Sequence, residues 1–274
     1  MLFAFVGCSG VGKNTIIGDL LNKHKDDYDI MQTLTTRDMR EGECQGNPYY
    51  FVSMEEFQKL IDEGVIYEHE WIHGNLYGGS RRVLEQKKKT GKMLLKDIDI
   101  LGANTLKKKL KDEIRVLSLF LYVDDVEILL NRLRGRGESE EEIEKRRKRF
   151  EMEMSLSATG DYMINNIDRF DTGRIIDAII EAEKEGKVLK PSQDCEYPQE
   201  EEIALLTNEA KKGASLARVE VAYNGRELLI VEGMQRYIAA MRAGTFIQKW
   251  IRKGTDESLK SMDIDDEAFA GMIG

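Results

Sequence analysis

Cysteine is scarce in this chain: 274 residues contain three, at positions 8, 44 and 195. That number is odd and the positions are scattered, which excludes a disulfide framework and suits reduced thiols in a cytoplasm. No pair has CxxC spacing, so a structural zinc site is not expected. Long apolar runs are missing too, since none approaches the roughly 20 residues of a membrane span. The apolar stretch at 2–6 has no basic segment before it and is too short for a signal peptide, so a soluble cytoplasmic protein without membrane contact is expected. An excess of positive charge is also lacking. The net charge is −9, which argues against nonspecific binding to nucleic acid or to an acidic membrane. Prolines number three. Two of them, Pro191 and Pro198, fall in one stretch that reads as a linker. The remaining composition, 33% charged and 41% hydrophobic, is ordinary, and the length suits one large domain or two unequal ones.

The strongest positive signal is Gly-Cys-Ser-Gly-Val-Gly-Lys-Asn-Thr at residues 7–15, directly after the apolar run Leu2-Phe3-Ala4-Phe5-Val6. This is a strand entering a glycine-rich turn and then a helix. Glycines let successive backbone N–H groups turn inward around phosphate oxygens, and the helix adds its positive N-terminal end. Gly7, Ser9, Gly10, Val11 and Gly12 form the cradle. Lys13 supplies a mobile charge for the β- and γ-phosphates of a nucleoside triphosphate. The usual pattern has Ser or Thr directly after the lysine, whereas here Asn14 stands there and Thr15 brings the hydroxyl one residue later. Such a lysine–small–threonine ending resembles the nucleoside monophosphate kinases.

Strand and helix signals alternate from residue 2 to about 188, with strand-like runs at 2–6, 93–98 and 115–123 and helical patterns at 14–24, 54–63, 80–90, 125–134, 139–155 and 171–185. The alternation predicts an α/β fold, a parallel sheet covered by helices. Between 33 and 80 the pattern breaks into short polar and aromatic segments, as expected of an insertion carrying a second binding site. Residues 189–202 read as a linker. Beyond them the reading places a small α/β domain at 203–274, built of a helix 201–212, strands 217–223 and 226–231 around Asn224-Gly225, and a helix 234–243.

Arg37 and Arg40 are three residues apart, so both guanidinium forks can reach one dianionic phosphate. Tyr49 and Tyr77 can add hydroxyl donors. Thr35-Thr36-Arg37-Asp38-Met39-Arg40-Glu41-Gly42-Glu43 precedes Gly46-Asn47-Pro48-Tyr49-Tyr50-Phe51-Val52-Ser53. Together with the phosphate loop, these runs closely resemble guanylate kinase. The resemblance continues through Glu68, Gly74-Asn75-Leu76-Tyr77-Gly78, Asp97-Ile98-Asp99 and Arg132-x-x-x-Arg136-Gly137, and it covers about residues 2–188. It implies a P-loop three-layer parallel sheet with a GMP-binding insertion and a lid over about 125–150.

The resemblance also implies roles. Arg37, Arg40, Tyr49 and Tyr77 would grip the phosphate of GMP. Glu68 would accept the N1–H and the exocyclic amine of guanine, a donor pair that adenine lacks. Thr33 would lie near guanine O6, Gly79 would stand where Ser or Thr normally follows Tyr-Gly, and Asp99 would lie near bound GMP. Asp97 would orient Mg2+ through water, with Thr15 as the other candidate ligand. Arg132, Arg136 and Arg146 match the lid arginines that stabilise the migrating phosphoryl group. Arg147 competes with Arg146, because the spacing from Arg136 is one residue short. Asn166 matches the asparagine beside adenine. Asn14, Gly79 and Leu101 depart from the family pattern, and Asn14 puts a direct hydroxyl–magnesium contact in question. The expected activity is ATP-dependent phosphorylation of GMP, and of dGMP, to the diphosphate. The alternatives are a kinase of another nucleotide or sugar phosphate on the same fold, or a non-catalytic binding scaffold. Near the C-terminus, Gly233-Met234-Gln235-Arg236 after an apolar strand faintly resembles the helix start of ParB-like and sulfiredoxin domains, where the arginine holds phosphate. Truncation near Lys190 is expected to leave an active kinase.

Overall fold

The apolar run at 2–6 forms a strand and the residues after the glycine-rich turn form a helix, as the alternating pattern suggests. The computed structural model describes every residue except Ser9, His73 and Arg136, and every side chain among those described except Ile72 and Arg149. Contacts divide the chain into two compact units, Met1–Val6 with Ile17–Ser118 and Gly7–Ile16 with Leu119–Gly274.

The first part of the chain forms β1 (Leu2–Val6), α1 (Lys13–Lys23), β2 (Tyr28–Ile30), β3 (Leu34–Thr35), β4 (Tyr50–Phe51), α2 (Met54–Asp62), β5 (Ile66–Ile72), β6 (Asn75–Ser80), α3 (Arg81–Lys88), β7 (Met93–Asp97) and α4 (Ile100–Lys109). β1 is buried along its whole length, which suits a parallel strand covered on both faces. It pairs in parallel with β7, and β7 pairs in parallel with β2. Within 33–80, four strands form a second sheet in the order β4-β3-β6-β5. α2 begins where the Ser53 hydroxyl accepts from the Glu56 N–H, an N-cap that closes one orphan donor, and it buries Phe57 and Leu60. α4, which the sequence pattern missed, starts at Asp99, whose carboxylate accepts from the Gly102 N–H at 2.8 Å.

The second part forms β8 (Val116–Tyr122), α5 (Val126–Arg134), α6 (Glu140–Ser155), β9 (Tyr162–Asn165), α7 (Arg169–Glu185), β10 (Lys190–Pro191), α8 (Glu200–Lys211), β11 (Val219–Tyr223), β12 (Leu228–Glu232), α9 (Met234–Ala243), β13 (Lys249–Ile251) and α10 (Asp266–Ile273). α6 has Ser139 as its N-cap and three glutamates in its first turn, which complement the helix dipole. β8 pairs in parallel with β9 through Leu119↔Tyr162 to Tyr122↔Asn165.

The C-terminal strands differ from the separate domain expected at 203–274. β13 pairs in parallel with β9, with Lys249 opposite Tyr162 and Ile251 opposite Ile164. β11 joins β13, and β12 and β10 follow, so the C-terminal strands continue one sheet from β9. The stretch expected as a linker holds β10 and the start of α8, with Leu189 and Ser192 buried. Pro191 lies in the sheet-edge strand β10 and Pro198 just before α8, places where a proline fits as readily as in a linker. No helix among the described residues is long and apolar enough to cross a membrane.

Candidate functional site

The donor candidates gather around the loop that follows β1. Gly7, Gly10 and Gly12 have φ of +133°, +88° and +103°, conformations that L side chains rarely adopt. A Cβ on Gly7 would overlap the Leu121 carbonyl, and one on Gly12 would stand 3.0 Å from the Asn166 amide nitrogen. The loop therefore packs without side chains against β8 and the end of β9. Lys13 Nζ donates to the Gly7 carbonyl at 2.5 Å, bringing the ammonium back over the loop. Cys8 and Val11 are buried, while Asn14 and Thr15 are exposed in the first turn of α1. Ser9 lies outside the described residues.

Asn166 is only 4% exposed, and its Nδ2 donates to the Val11 carbonyl at 2.6 Å. Its backbone N–H bonds the Tyr122 carbonyl at 2.7 Å. The residue expected beside adenine thus ties the end of β9 to the phosphate loop. Its Oδ1 has no hydrogen-bond partner among the described residues. Neighbouring Asn165 donates from Nδ2 to Asp124 at 2.6 Å and to the Arg252 carbonyl at 3.1 Å. The Thr255 N–H donates to Asp171, in the first turn of α7, at 2.7 Å.

Arg132 reaches from α5, whose face Leu129, Leu130 and Leu133 anchor, to the Gly10 and Val11 carbonyls at 3.4 and 3.5 Å. Arg146 and Arg147 pair with acids. Arg146 Nε lies 2.6 Å from Glu138, and Arg147 lies 2.9 Å from Glu127. Both competing candidates are therefore held by carboxylates. Arg136 lies outside the described residues.

The acceptor candidates occupy the small sheet and β7. Arg37 Nη2 lies 2.9 and 3.0 Å from the two Glu43 oxygens, and Nη1 donates to the Asp38 carbonyl at 2.7 Å. Its guanidinium stands 5.6 Å from the Tyr49 ring centre and 5.3 Å from that of Phe51. The Tyr49 and Tyr77 rings meet edge-on at 5.7 Å. Glu43 lies within the arginine motif without an expected role, and it is the residue that orients Arg37. It also accepts from the Arg40 N–H at 2.8 Å, while the Arg40 side chain is exposed. The Arg37 hydrogen bond, followed by that backbone donor, lowers the Glu43 pKa.

Glu68 lies opposite Gly79 across the β5–β6 ladder, and its carboxylate accepts from the Gly79 N–H. Burial raises its pKa, with Lys96 opposing and Asp99 adding to the rise. Gly79 also has a steric reason, since a Cβ there would overlap the Tyr67 ring. The missing hydroxyl at this position follows from that ring. Asp99 uses one oxygen to cap α4, Asp97 is exposed at the end of β7, and Leu101 is 57% exposed on the first turn of α4. Thr33 Oγ1 accepts from Lys96 Nζ at 2.8 Å. Lys96 was missed because it sits inside a run read as an apolar strand. The charge itself was the available signal, for Met93-Leu94-Leu95 leads straight into it. Burial lowers its pKa, and the Glu68 and Asp97 carboxylates oppose the shift.

At the C-terminal helix start, Arg236 is paired. It donates to the Arg218 carbonyl at 3.1 Å and lies 3.3 Å from Glu232.

A strand leading through a positive-φ glycine loop into a lysine-headed helix defines a P-loop nucleotide-binding protein. Residues 2–183 match the guanylate kinase family model, and the chain belongs to the guanylate kinase family. It is 42% identical over 134 residues to a guanylate kinase of Idiomarina loihiensis, covering 48% of this chain and 62% of that protein. It is 36% identical over 140 residues to one from Geobacter metallireducens, covering 49% and 64%. The chain thus spans a little under two thirds of the length of these curated relatives. The crystal structure of guanylate kinase from Anaplasma phagocytophilum superposes with a TM-score of 0.51 at 31% identity, covering 67% of this chain and 85% of that one.

Proposed function

We propose that the chain transfers the γ-phosphoryl group of ATP to the phosphate of GMP, and of dGMP, releasing ADP and GDP or dGDP. The observation that carries this reading is the acceptor sheet. It holds Arg37, Tyr49 and Tyr77 in mutual contact and sets Glu68 against the Gly79 backbone. A fork and two phenols suit a phosphate dianion, and a carboxylate suits the N1–H and amine edge of guanine.

In the proposed reaction a GMP phosphate oxygen attacks the γ-phosphorus while the bond to the β–γ bridging oxygen breaks. Charge spreads over the equatorial oxygens, where Lys13 and Arg132 supply positive charge. Arg136 and Arg146 join them in this proposal, and Arg146 then has to exchange Glu138 for phosphate. The Asn166 amide keeps the loop shaped for the donor phosphates, and its Oδ1 accepts from the amine of adenine. Thr15 and Asp97 are exposed oxygen donors, the kind that suits Mg2+, which neutralises phosphate charge when bound. The arginines and Glu68 read their ligand without chemistry of their own, so alignment carries the rate.

The test is ADP production from ATP with GMP, dGMP, AMP and ribose phosphates as acceptors. Turnover confined to GMP and dGMP is the expected result. Activity only with AMP or a sugar phosphate would overturn the acceptor assignment, and no turnover with any acceptor would make the chain a binding scaffold.

A further inference from the structure

Lys96 is 2% exposed, among the largest fully buried side chains of the protein, and has no part in the reaction proposed above. Lysine is almost never buried this completely without a task or a partner, because an ammonium loses its hydration. Its hydrogen bond among the described residues goes to Thr33 Oγ1. An ammonium has three donors and a threonine hydroxyl accepts one of them here, so two remain for another acceptor. The Thr33 hydroxyl, while accepting from Lys96, keeps its own proton to donate. Lys96 also lies close enough to Glu68 to interact with its carboxylate.

Lys96 is therefore bonded to one residue expected to read the acceptor base, the Thr33 hydroxyl, and within electrostatic range of the other, the Glu68 carboxylate. We infer that Lys96 is a base-reading residue: its ammonium, together with the Thr33 hydroxyl, donates to the 6-keto oxygen of a purine whose N1–H and 2-amino group go to Glu68. The assignment rests on the guanylate kinase reading and deepens it. The three side chains then present donor, acceptor and acceptor along one base edge, complementary to a 6-oxo-2-aminopurine. A 6-aminopurine sets its N–H donors against the ammonium and leaves that charge buried with Thr33 as its one hydrogen-bond acceptor among the described residues, which is the costly case. Discrimination against adenine thus has a repulsive element besides the attractive one at Glu68.

The test is steady-state kinetics of the full chain and of Lys96→Met with three acceptors: GMP, 6-thioguanosine monophosphate and IMP. The thio analogue keeps both donors read by Glu68 but offers a weak sulfur acceptor, whereas IMP keeps the 6-keto oxygen and lacks the 2-amino group. The wild type is expected to favour GMP over the thio analogue. In Lys96→Met the KM for GMP should rise about 10- to 100-fold, as for loss of a charged hydrogen bond. The GMP-to-thio preference should collapse, the GMP-to-IMP ratio should hold, and Tm should not fall. An unchanged GMP-to-thio preference overturns the proposal, whatever happens to Tm. Should Lys96→Met fail to fold, Thr33→Val removes the other donor and must narrow the same preference, and an unchanged preference there overturns it equally. A wild type that phosphorylates no 6-oxopurine removes the guanylate kinase reading itself, a failure distinct from an active enzyme indifferent to Lys96.

Discussion

Arg37 and Glu43 form a two-pronged ion pair, with one guanidinium nitrogen 2.9 and 3.0 Å from the two carboxylate oxygens. The pair holds the fork beside Tyr49 and Phe51 before any phosphate arrives. Preorganisation of this kind lowers the cost of binding. Glu43→Ala should therefore raise the KM for GMP by roughly three- to tenfold with kcat little changed. Arg37→Ala should raise KM further and lower kcat while ATP affinity holds. Titration calorimetry with GMP decides the first case, and tighter GMP binding by Glu43→Ala would show that the carboxylate competes with the phosphate instead.

Glu68 supplies a pH dependence. Its pKa is raised by burial, and in the proposed reading the guanine donors need the ionised carboxylate. GMP binding should weaken as pH falls through a value above the ordinary glutamate range, while ATP binding does not follow that transition. The folding linkage has the opposite sense. A raised carboxyl pKa contributes stability that is present below the unfolded value and lost as pH rises through the folded one. Glu68→Gln should cost about 1–3 kcal/mol of GMP binding by turning a donor toward a guanine donor. A GMP affinity that keeps the same acid dependence in Glu68→Gln as in the wild type would remove Glu68 as the base reader.

Lys13→Ala should lower kcat on the order of 10²–10³-fold and leave the dissociation constant for GMP unchanged. Lys13 lies on the phosphate loop, and every acceptor candidate lies elsewhere in the chain. Near-normal turnover in this variant would refute the donor assignment.

Asn166→Ala should raise the KM for ATP and spare that for GMP. The substitution leaves the buried Val11 carbonyl without its 2.6 Å donor, a loss of about 1–3 kcal/mol in loop order. Asn166→Asp should be worse, since it points an acceptor at a carbonyl. A GMP defect equal to the ATP defect would mean that the effect is global.

Truncation after residue 188 should lower Tm and promote aggregation, contrary to the expectation from composition. It removes β13 and leaves the β9 edge unpaired, and it removes the Arg252 carbonyl that Asn165 bonds. Thermal unfolding and light scattering of the 1–188 fragment check this. A soluble fragment with full-length Tm would restore an autonomous kinase domain and make 189–274 an appendage.

The chain by itself determined the features that are local. The phosphate loop was legible because nine contiguous residues carry its glycines, its lysine and the helix start, and the positive φ values need only those glycines. The alternating apolar runs gave the parallel α/β class, and the spaced arginines, tyrosines and glutamate of the acceptor motifs marked the insertion. Only the tertiary structure decided what depends on strand register and burial. It set Lys96 against Thr33, 63 residues away, and so turned a charge in an apolar strand into a buried ammonium within the field of Glu68. Register also put the Tyr67 ring where a Cβ on Gly79 would stand, the steric reason a hydroxyl residue is excluded there. β13 joined β9 because backbone pairing between distant strands leaves no mark in composition, and a proline-bearing stretch reads alike as linker or sheet edge. Local sequence fixes backbone conformation and residue chemistry over a few residues. Which buried groups meet is fixed by packing, and packing is a property of the whole chain.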